Sequence, residues 1–124
     1  MNTKKQIVAI GEVLWDVFPD GPRFGGAPAN FACSAAGVGG NLVNVCMVGG
    51  IGNDLLGRQA LAELQQRQVD VSHVSQLEQP TGQVLVQLNA SGQASYEFAA
   101  NTAWDNLPWT NDLQQLAVCA DAVC

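Results

Sequence analysis

The segment Phe24-Gly25-Gly26-Ala27-Pro28-Ala29-Asn30-Phe31-Ala32 holds residue types that could grip a ligand. The pair Gly25-Gly26 leaves backbone N–H groups bare to an approaching molecule. Proline is favoured in the first turn of a helix, so Pro28 marks a helix start. That start carries unpaired donors and a positive partial charge. Asn30, in the same turn, offers both a donor and an acceptor. The combination suits a neutral, hydroxyl-rich ligand. By spacing alone it equally suits an ordinary tight turn into a packed helix. Asp16 is the second candidate. It follows the first strand, where ligands of parallel α/β sheets bind, and a carboxylate accepts from two hydroxyls at once. A solvated loop acid is the simpler reading of Asp16 taken alone.

These residues need elements to position them. Gln6 to Ile10 reads as a buried strand ending at Gly11. Trp15 to Phe24 carries Pro19, Gly21 and Pro22, which break regular structure. A helix follows from Pro28 to Val38, stopped by Gly39 and Gly40. Leu42 to Val48 reads as a second strand. Asn53 or Asp54 caps the next helix, with Leu56, Ala60, Leu61 and Leu64 on its apolar face. Val69 to Val74 alternates like a third strand. Strand, helix, strand, helix, strand implies a parallel sheet covered by helices. Gln83 to Asn89 and Ala94 to Ala99 flank Ser91-Gly92 and read as an antiparallel hairpin, distinct from that sheet. A helix over Asp112 to Val118 follows Trp104 and Trp109, which should anchor a loop by apolar packing. Ala122-Val123-Cys124 reads as the start of a buried strand, so the chain is expected to be truncated.

Four segments, in order, resemble the fructokinase branch of the PfkB, or ribokinase-like, carbohydrate kinases. They are Gly11-Glu12-Val13-Leu14-Trp15-Asp16, Gly25 to Asn30, Val48 to Gly57, and Pro80-Thr81-Gly82. The resemblance spans nearly the whole chain. Gly50, where Lys is common, and Asn53, where Asp is frequent, depart from the pattern. The resemblance implies a Rossmann-type parallel sheet with helices on both faces and a small β lid hairpin. It implies residues 1–124 as the N-terminal part of the domain, with lid segments at about 15–24 and 82–99. Asp16, Gly25, Gly26 and Asn30 would hold the sugar, and Phe98 would touch it from the lid. The Gly52 to Gly57 block would shape a turn and a helix start. ATP and Mg2+ would serve the complete enzyme. The hairpin serves as a homodimer contact in several members.

The family's catalytic Asp lies in a Gly-Ala-Gly-Asp motif that this chain does not contain, nor does it contain a Gly-x4-Gly-Lys-Ser/Thr loop. The expected function is therefore ATP-dependent phosphorylation of a fructose-like sugar, with this chain supplying the sugar-binding half and inactive alone. Ribose, 2-keto-3-deoxygluconate and nucleosides are also substrates in the family. The alternatives are a non-catalytic sugar-binding or dimerisation fragment, or the remnant of a disrupted kinase gene.

Composition excludes other classes. Apolar residues make up 48% of 124, which suits a globular domain. With a net charge of −6 and only five Lys or Arg, no basic stripe exists to meet nucleic-acid phosphates or an anionic membrane. The apolar run Ile7 to Ile10 is too short for a signal peptide or a membrane span, so the expected location is cytoplasmic. Cys33, Cys46, Cys119 and Cys124 are spaced without a C-x-x-C pair and read as buried, reduced thiols. His73, Asp70 and Glu63 read as structural or solvated. Glu12 reads as structural.

Overall fold

A computed structural model describes residues 3–124; Met1 and Asn2, at the start of the polar N-terminal stretch, lie outside the described residues. The strands are β1 (Lys5–Ile10), β2 (Leu14–Phe18), β3 (Gly21–Gly25), β4 (Val43–Gly52), β5 (Val74–Leu77), β6 (Gly82–Leu88), β7 (Ala94–Phe98) and β8 (Ala122–Val123). The helices are α1 (Ala27–Gly39), α2 (Leu55–Gln66) and α3 (Asn111–Cys119). They build two four-stranded sheets, ordered β5-β4-β1-β8 and β3-β2-β6-β7.

The first sheet is parallel throughout, with Ile7 opposite Val45 and Ala9 opposite Met47. Parallel strands buried on both faces read as continuous apolar runs, which is why Gln6 to Ile10 was legible. One face of the sheet packs Ala9, Val45 and Met47 against Ala29 and Ala32 of α1 and Ala60 and Leu64 of α2. Alanines at 29 and 32 let α1 lie close to the strands. α1 and α2 lie together on that face; the right-handed rule for crossovers assigns α3, on the return to β8, to the other. The Ala103 carbonyl covers the second face at Gly50.

The second sheet corrects the reading of Trp15 to Phe24 as irregular. Leu14 pairs with Gly25 and Phe18 with Gly21 in an antiparallel hairpin. Pro19 sits in its turn. Pro22 sits on β3, an edge strand, where a missing N–H breaks no ladder. The 83–99 hairpin forms as expected, and β6 also pairs in parallel with β2. Asn89 organises its tip, its side-chain oxygen accepting from the Ser91 and Gln93 amides at 3.0 and 2.8 Å.

Other expectations shift. Val69 to Val74 is not a strand. Only Asp70 bridges to Cys46, and the strand begins at Val74. The Asp70 carboxylate accepts from the Ser72 amide at 2.9 Å and bends the chain out of the ladder. β4 runs on to Gly52, because its glycine end pairs with β5. Trp109 is 69% exposed and anchors nothing. Cys119 and Cys124 are exposed free thiols, against expectation, whereas Cys46 is buried. Burial, and then the Asp70 carboxylate, push the Cys46 thiol up to about 11. Among the described residues no helix is long and apolar enough to cross a membrane.

The sheets are joined at the start of α2. Asp54 caps that helix and accepts from the Gly57 amide at 2.8 Å. The same carboxylate accepts from the Thr81 hydroxyl at 2.6 Å and the Thr81 amide at 2.9 Å. The Thr81 hydroxyl in turn accepts from the Gly52 amide at 2.9 Å. Burial alone would raise the Asp54 carboxyl. The Thr81 and Gly57 donors, with Arg58 beside them, outweigh burial and hold it below the usual carboxylate value.

A depressed carboxyl stabilises the fold above the unfolded-state value, and that stabilisation is lost as pH falls through the folded-state value. Asp54→Asn should lower unfolding free energy by about 1.5–3 kcal/mol at neutral pH. Urea titrations should show the gap to wild type narrowing below about pH 4. A gap independent of pH would contradict this account of Asp54.

Candidate functional site

The strand order places a switch point at β1. From β1 the chain crosses to β4 on one side, and β8 lies on the other. Crevices beyond the carboxyl ends of parallel strands at such points receive ligands. The carboxyl end of β1 leads into Gly11, whose amide donates to the Val48 carbonyl at 3.1 Å. Beside it stands the start of α1. A Cβ on Gly11 would lie 2.7 Å from Cγ of Pro28, so the loop after β1 presses on the first turn of α1.

Gly26 is the N-cap of α1, at φ 102° and ψ 125°, and no side chain caps this helix start. Its carbonyl accepts from the Asn30 amide at 2.9 Å, which fixes Asn30 one turn along the helix. Asn30 is exposed. An added Cβ on Gly26 would run into the Glu12 carbonyl. Glu12 therefore packs by its backbone against the helix start.

Asp16 lies on β2 and is half-buried. It is a strand residue, not the loop acid of the simpler reading. A Cβ on Gly25 would lie 2.5 Å from Oδ2 of Asp16, so the carboxylate rests on bare backbone next to Gly26. Arg23 faces Asp16 across the β2–β3 ladder. Its guanidinium is engaged elsewhere, 3.1 Å from Asp20 and 4.2 Å from the centre of the Phe18 ring. Among the described residues, then, Asp16 has no guanidinium partner.

Phe98 pairs with Val84, and Val84 pairs with Asp16. The three share one face of the second sheet, so Phe98 stands two strands from Asp16, about 10 Å away. Phe98 is 59% exposed. Leu14, Val84 and Val86 are buried on that face, with Phe18 packed on them. The hollow of about 490 Å³ that touches Phe98 is lined by Val17, Gln83, Leu85 and Glu97, which lie on the opposite face. That hollow is separate from Asp16. Trp15, next to Asp16, turns into the core and donates from Nε1 to the Leu56 carbonyl at 2.9 Å.

The structure thus brings Asp16, Gly25 and Gly26 together, sets Asn30 a turn away, and puts Phe98 at the margin. Alternation in Gln83 to Asn89 puts Val84, Val86 and Leu88 on one covered side; Val84 and Val86 are buried there with Leu14, which sequence reasoning missed, while Leu88 is exposed. Sequence reasoning also missed the Asp54–Thr81 bond, which nothing local signals, because its partners are 27 residues apart.

Residues 5–124 match the family model described as pfkB family carbohydrate kinase. The chain is similar to a fructokinase of Salmonella typhimurium, 35% identical over 123 residues, covering 94% of this chain and 38% of the relative. It is similar in structure to a sugar kinase of Pyrococcus horikoshii in complex with ATP, with a TM-score of 0.78 and 28% identity. That alignment covers 94% of this chain and 41% of the other. A fructokinase of Vibrio cholerae O395, in a form with bound fructose, ADP and calcium ion, aligns with a TM-score of 0.69 and 27% identity over 84% of this chain and 35% of its own. The chain therefore spans about two-fifths or less of the length of these relatives.

Gly26→Ala should cost about 1–3 kcal/mol, because it adds backbone strain and a collision with the Glu12 carbonyl. Gly92 also has a positive φ, 81°, but open space around it. Gly92→Ala should cost less, about 1 kcal/mol. Equal losses in urea titrations of the two variants would show that the approach to Glu12 imposes nothing.

Proposed function

We propose, from the premise that this chain belongs to the pfkB family of carbohydrate kinases, that it is the sugar-recognising portion of an ATP-dependent kinase acting on a fructose-like sugar. The observation that carries the reading is the Asp16 carboxylate resting on Gly25, beside an uncapped helix start. A carboxylate accepts from two adjacent hydroxyls, and the first turn of a helix donates to others. Asn30 adds a donor and an acceptor. Gly25 and Gly26 are the bare backbone that lets a ring come close, and Phe98 supplies an apolar edge. These groups bind and orient a polyol.

The second sheet then acts as a lid, over segments 15–24 and 82–99, and sheds water from the sugar. Excluding water matters, because water would compete with the sugar hydroxyl for the transferred phosphoryl group. In this reading none of the residues named above is assigned to ATP or Mg2+. The described residues contain no cluster of three or more His, Cys, Asp or Glu side chains, and the sequence contains no Gly-Ala-Gly-Asp segment. The nucleotide is a substrate that this reading assigns to the remainder of a longer kinase, and no step at the phosphates is given to these residues. The 124-residue chain alone should transfer no phosphate. The fructose-bound and ATP-bound forms of its structural relatives support the pair of substrates.

In the full-length kinase, Asp16→Ala and Asn30→Ala should each lower kcat/KM for fructose by about 10- to 100-fold. Turnover of fructose and ATP, followed by ADP release, checks this against circular dichroism of the folded variants. Unaltered kinetics in the double variant would overturn the reading.

A further inference from the structure

Two side chains outside the proposed sugar contacts control where those contacts stand. We infer that Asp54 and Thr81 are positioning residues: they mount the second sheet on the first turn of α2 and so set Asp16 and Phe98 against the start of α1. The inference rests on the kinase reading above for its functional consequence, and on bond geometry alone for the mount itself.

Three hydrogen bonds from two residues tie the second sheet to this one turn. Trp15 of β2 donates to the Leu56 carbonyl at 2.9 Å. Thr81 donates from its amide and its hydroxyl to Asp54, the N-cap of the same helix. Thr81 is 1% exposed and directly precedes Gly82, the first residue of β6. Gly82 pairs with Leu14, and two residues on Val84 pairs with Asp16. The chain of contact from Asp54 to Asp16 is therefore short and made of strand register. The mount is anchored on its other side as well. The Thr81 hydroxyl accepts from Gly52, the last residue of β4, so one oxygen bridges the main sheet and the helix cap.

There is no slack at this point. A Cβ on Gly57 would run into the Gly52 carbonyl and lie 2.9 Å from the Thr81 hydroxyl, and one on Gly52 would lie 2.8 Å from the Thr81 amide. The residue before Thr81 is held too: the Pro80 carbonyl accepts from the Ala103 amide at 2.8 Å. By contrast, every residue of β7 is exposed. The second sheet is fixed at its root and free at its far edge. Loosening the root moves the whole sheet, because the β6 register carries the displacement to β2. A misplacement of about 1 Å at a reacting group can cost on the order of 100-fold in rate.

The test compares Thr81→Val, which keeps the shape and removes the hydroxyl, with Thr81→Ser, which keeps the hydroxyl, and with Asp54→Asn. In hydrogen exchange on this chain, Thr81→Val and Asp54→Asn should speed exchange at Val84 to Leu88 and Trp15 to Phe18 more than at Val45 to Val48, where the rate should rise only by the loss of global stability that urea titration of the same variant reads. Thr81→Ser should restore wild-type exchange. Equal acceleration in both sheets, or none in either, overturns the inference, since a merely structural bond would loosen the molecule as a whole. In the full-length kinase, Thr81→Val should raise KM for fructose and lower kcat, together reducing kcat/KM by about 10- to 100-fold, with KM for ATP unchanged. A fall in folded enzyme with an unaltered KM for fructose also overturns it. Selective exchange in a protein whose wild type phosphorylates no sugar would sink the kinase reading and leave the mount standing.

Discussion

Thr81 donates to Asp54 and accepts from Gly52, and that closed ring decides how the two sheets of this chain meet. The ring works because its members are short of alternatives. Thr81 is buried, so its hydroxyl has no water to turn to. A buried hydroxyl or amide left without a partner costs free energy, which makes the arrangement hard to rearrange. Asp54 brings the charge that strengthens all three bonds it accepts, and the α2 N-terminus favours that negative charge. The join is polar, directional and small. An apolar contact of the same area would tolerate sliding, whereas this one fixes an angle.

The main sheet shows how much a periodic pattern reveals. Its central strands β1 and β4 bury Val8, Ala9 and Val45 to Val48, so Gln6 to Ile10 and the run into Val48 stand out as apolar stretches that end at glycines, whereas the edge strand β8 is exposed, against the buried strand expected there. The start of α1 was legible from Pro28 and the glycines before it, and the hairpin from Ser91-Gly92. The losses have a common cause. Pro22 and Gly21 break a central strand, but β3 is an edge strand, and whether a strand lies at an edge depends on its neighbours. Val69 to Val74 alternates like a strand, yet the Asp70 side chain captures the Ser72 amide. Trp109, Cys119 and Cys124 have apolar or small neighbours in sequence and solvent around them in space.

The candidate site divides the same way. Gly25, Gly26 and Asn30 are contiguous, so a local motif sufficed to nominate them. Asp16 joins them only through the β2–β3 ladder, where its carboxylate comes to rest on Gly25. Its nomination came from a resemblance and from its place after a strand, not from a visible pairing. Phe98 depends on two ladders in succession, and the structure leaves it exposed at the margin. Asp54 and Thr81 carried a helix cap and a turn in the sequence reading. Their bond to each other spans separate elements and left no trace in either segment.

Charge argues for what such a site could hold. Phosphates demand cations or converging amides, and the cations of this chain are committed to carboxylates or to solvent. Lys5 lies 3.7 Å from Asp121, Arg67 3.7 Å from Glu63, and Arg23 3.1 Å from Asp20. Arg23 is the one nearest Asp16 in the ladder, and it turns toward Asp20 and Phe18. What remains around Asp16 is a carboxylate, peptide dipoles and an amide. An anionic ligand would be repelled by the first and only partly rewarded by the rest. A neutral polyol meets all three, because each hydroxyl donates and accepts. A chain with a net charge of −6 gains nothing by steering phosphates toward this end of its sheet. The local electrostatics of the proposed site thus favour a neutral polyol over an anion.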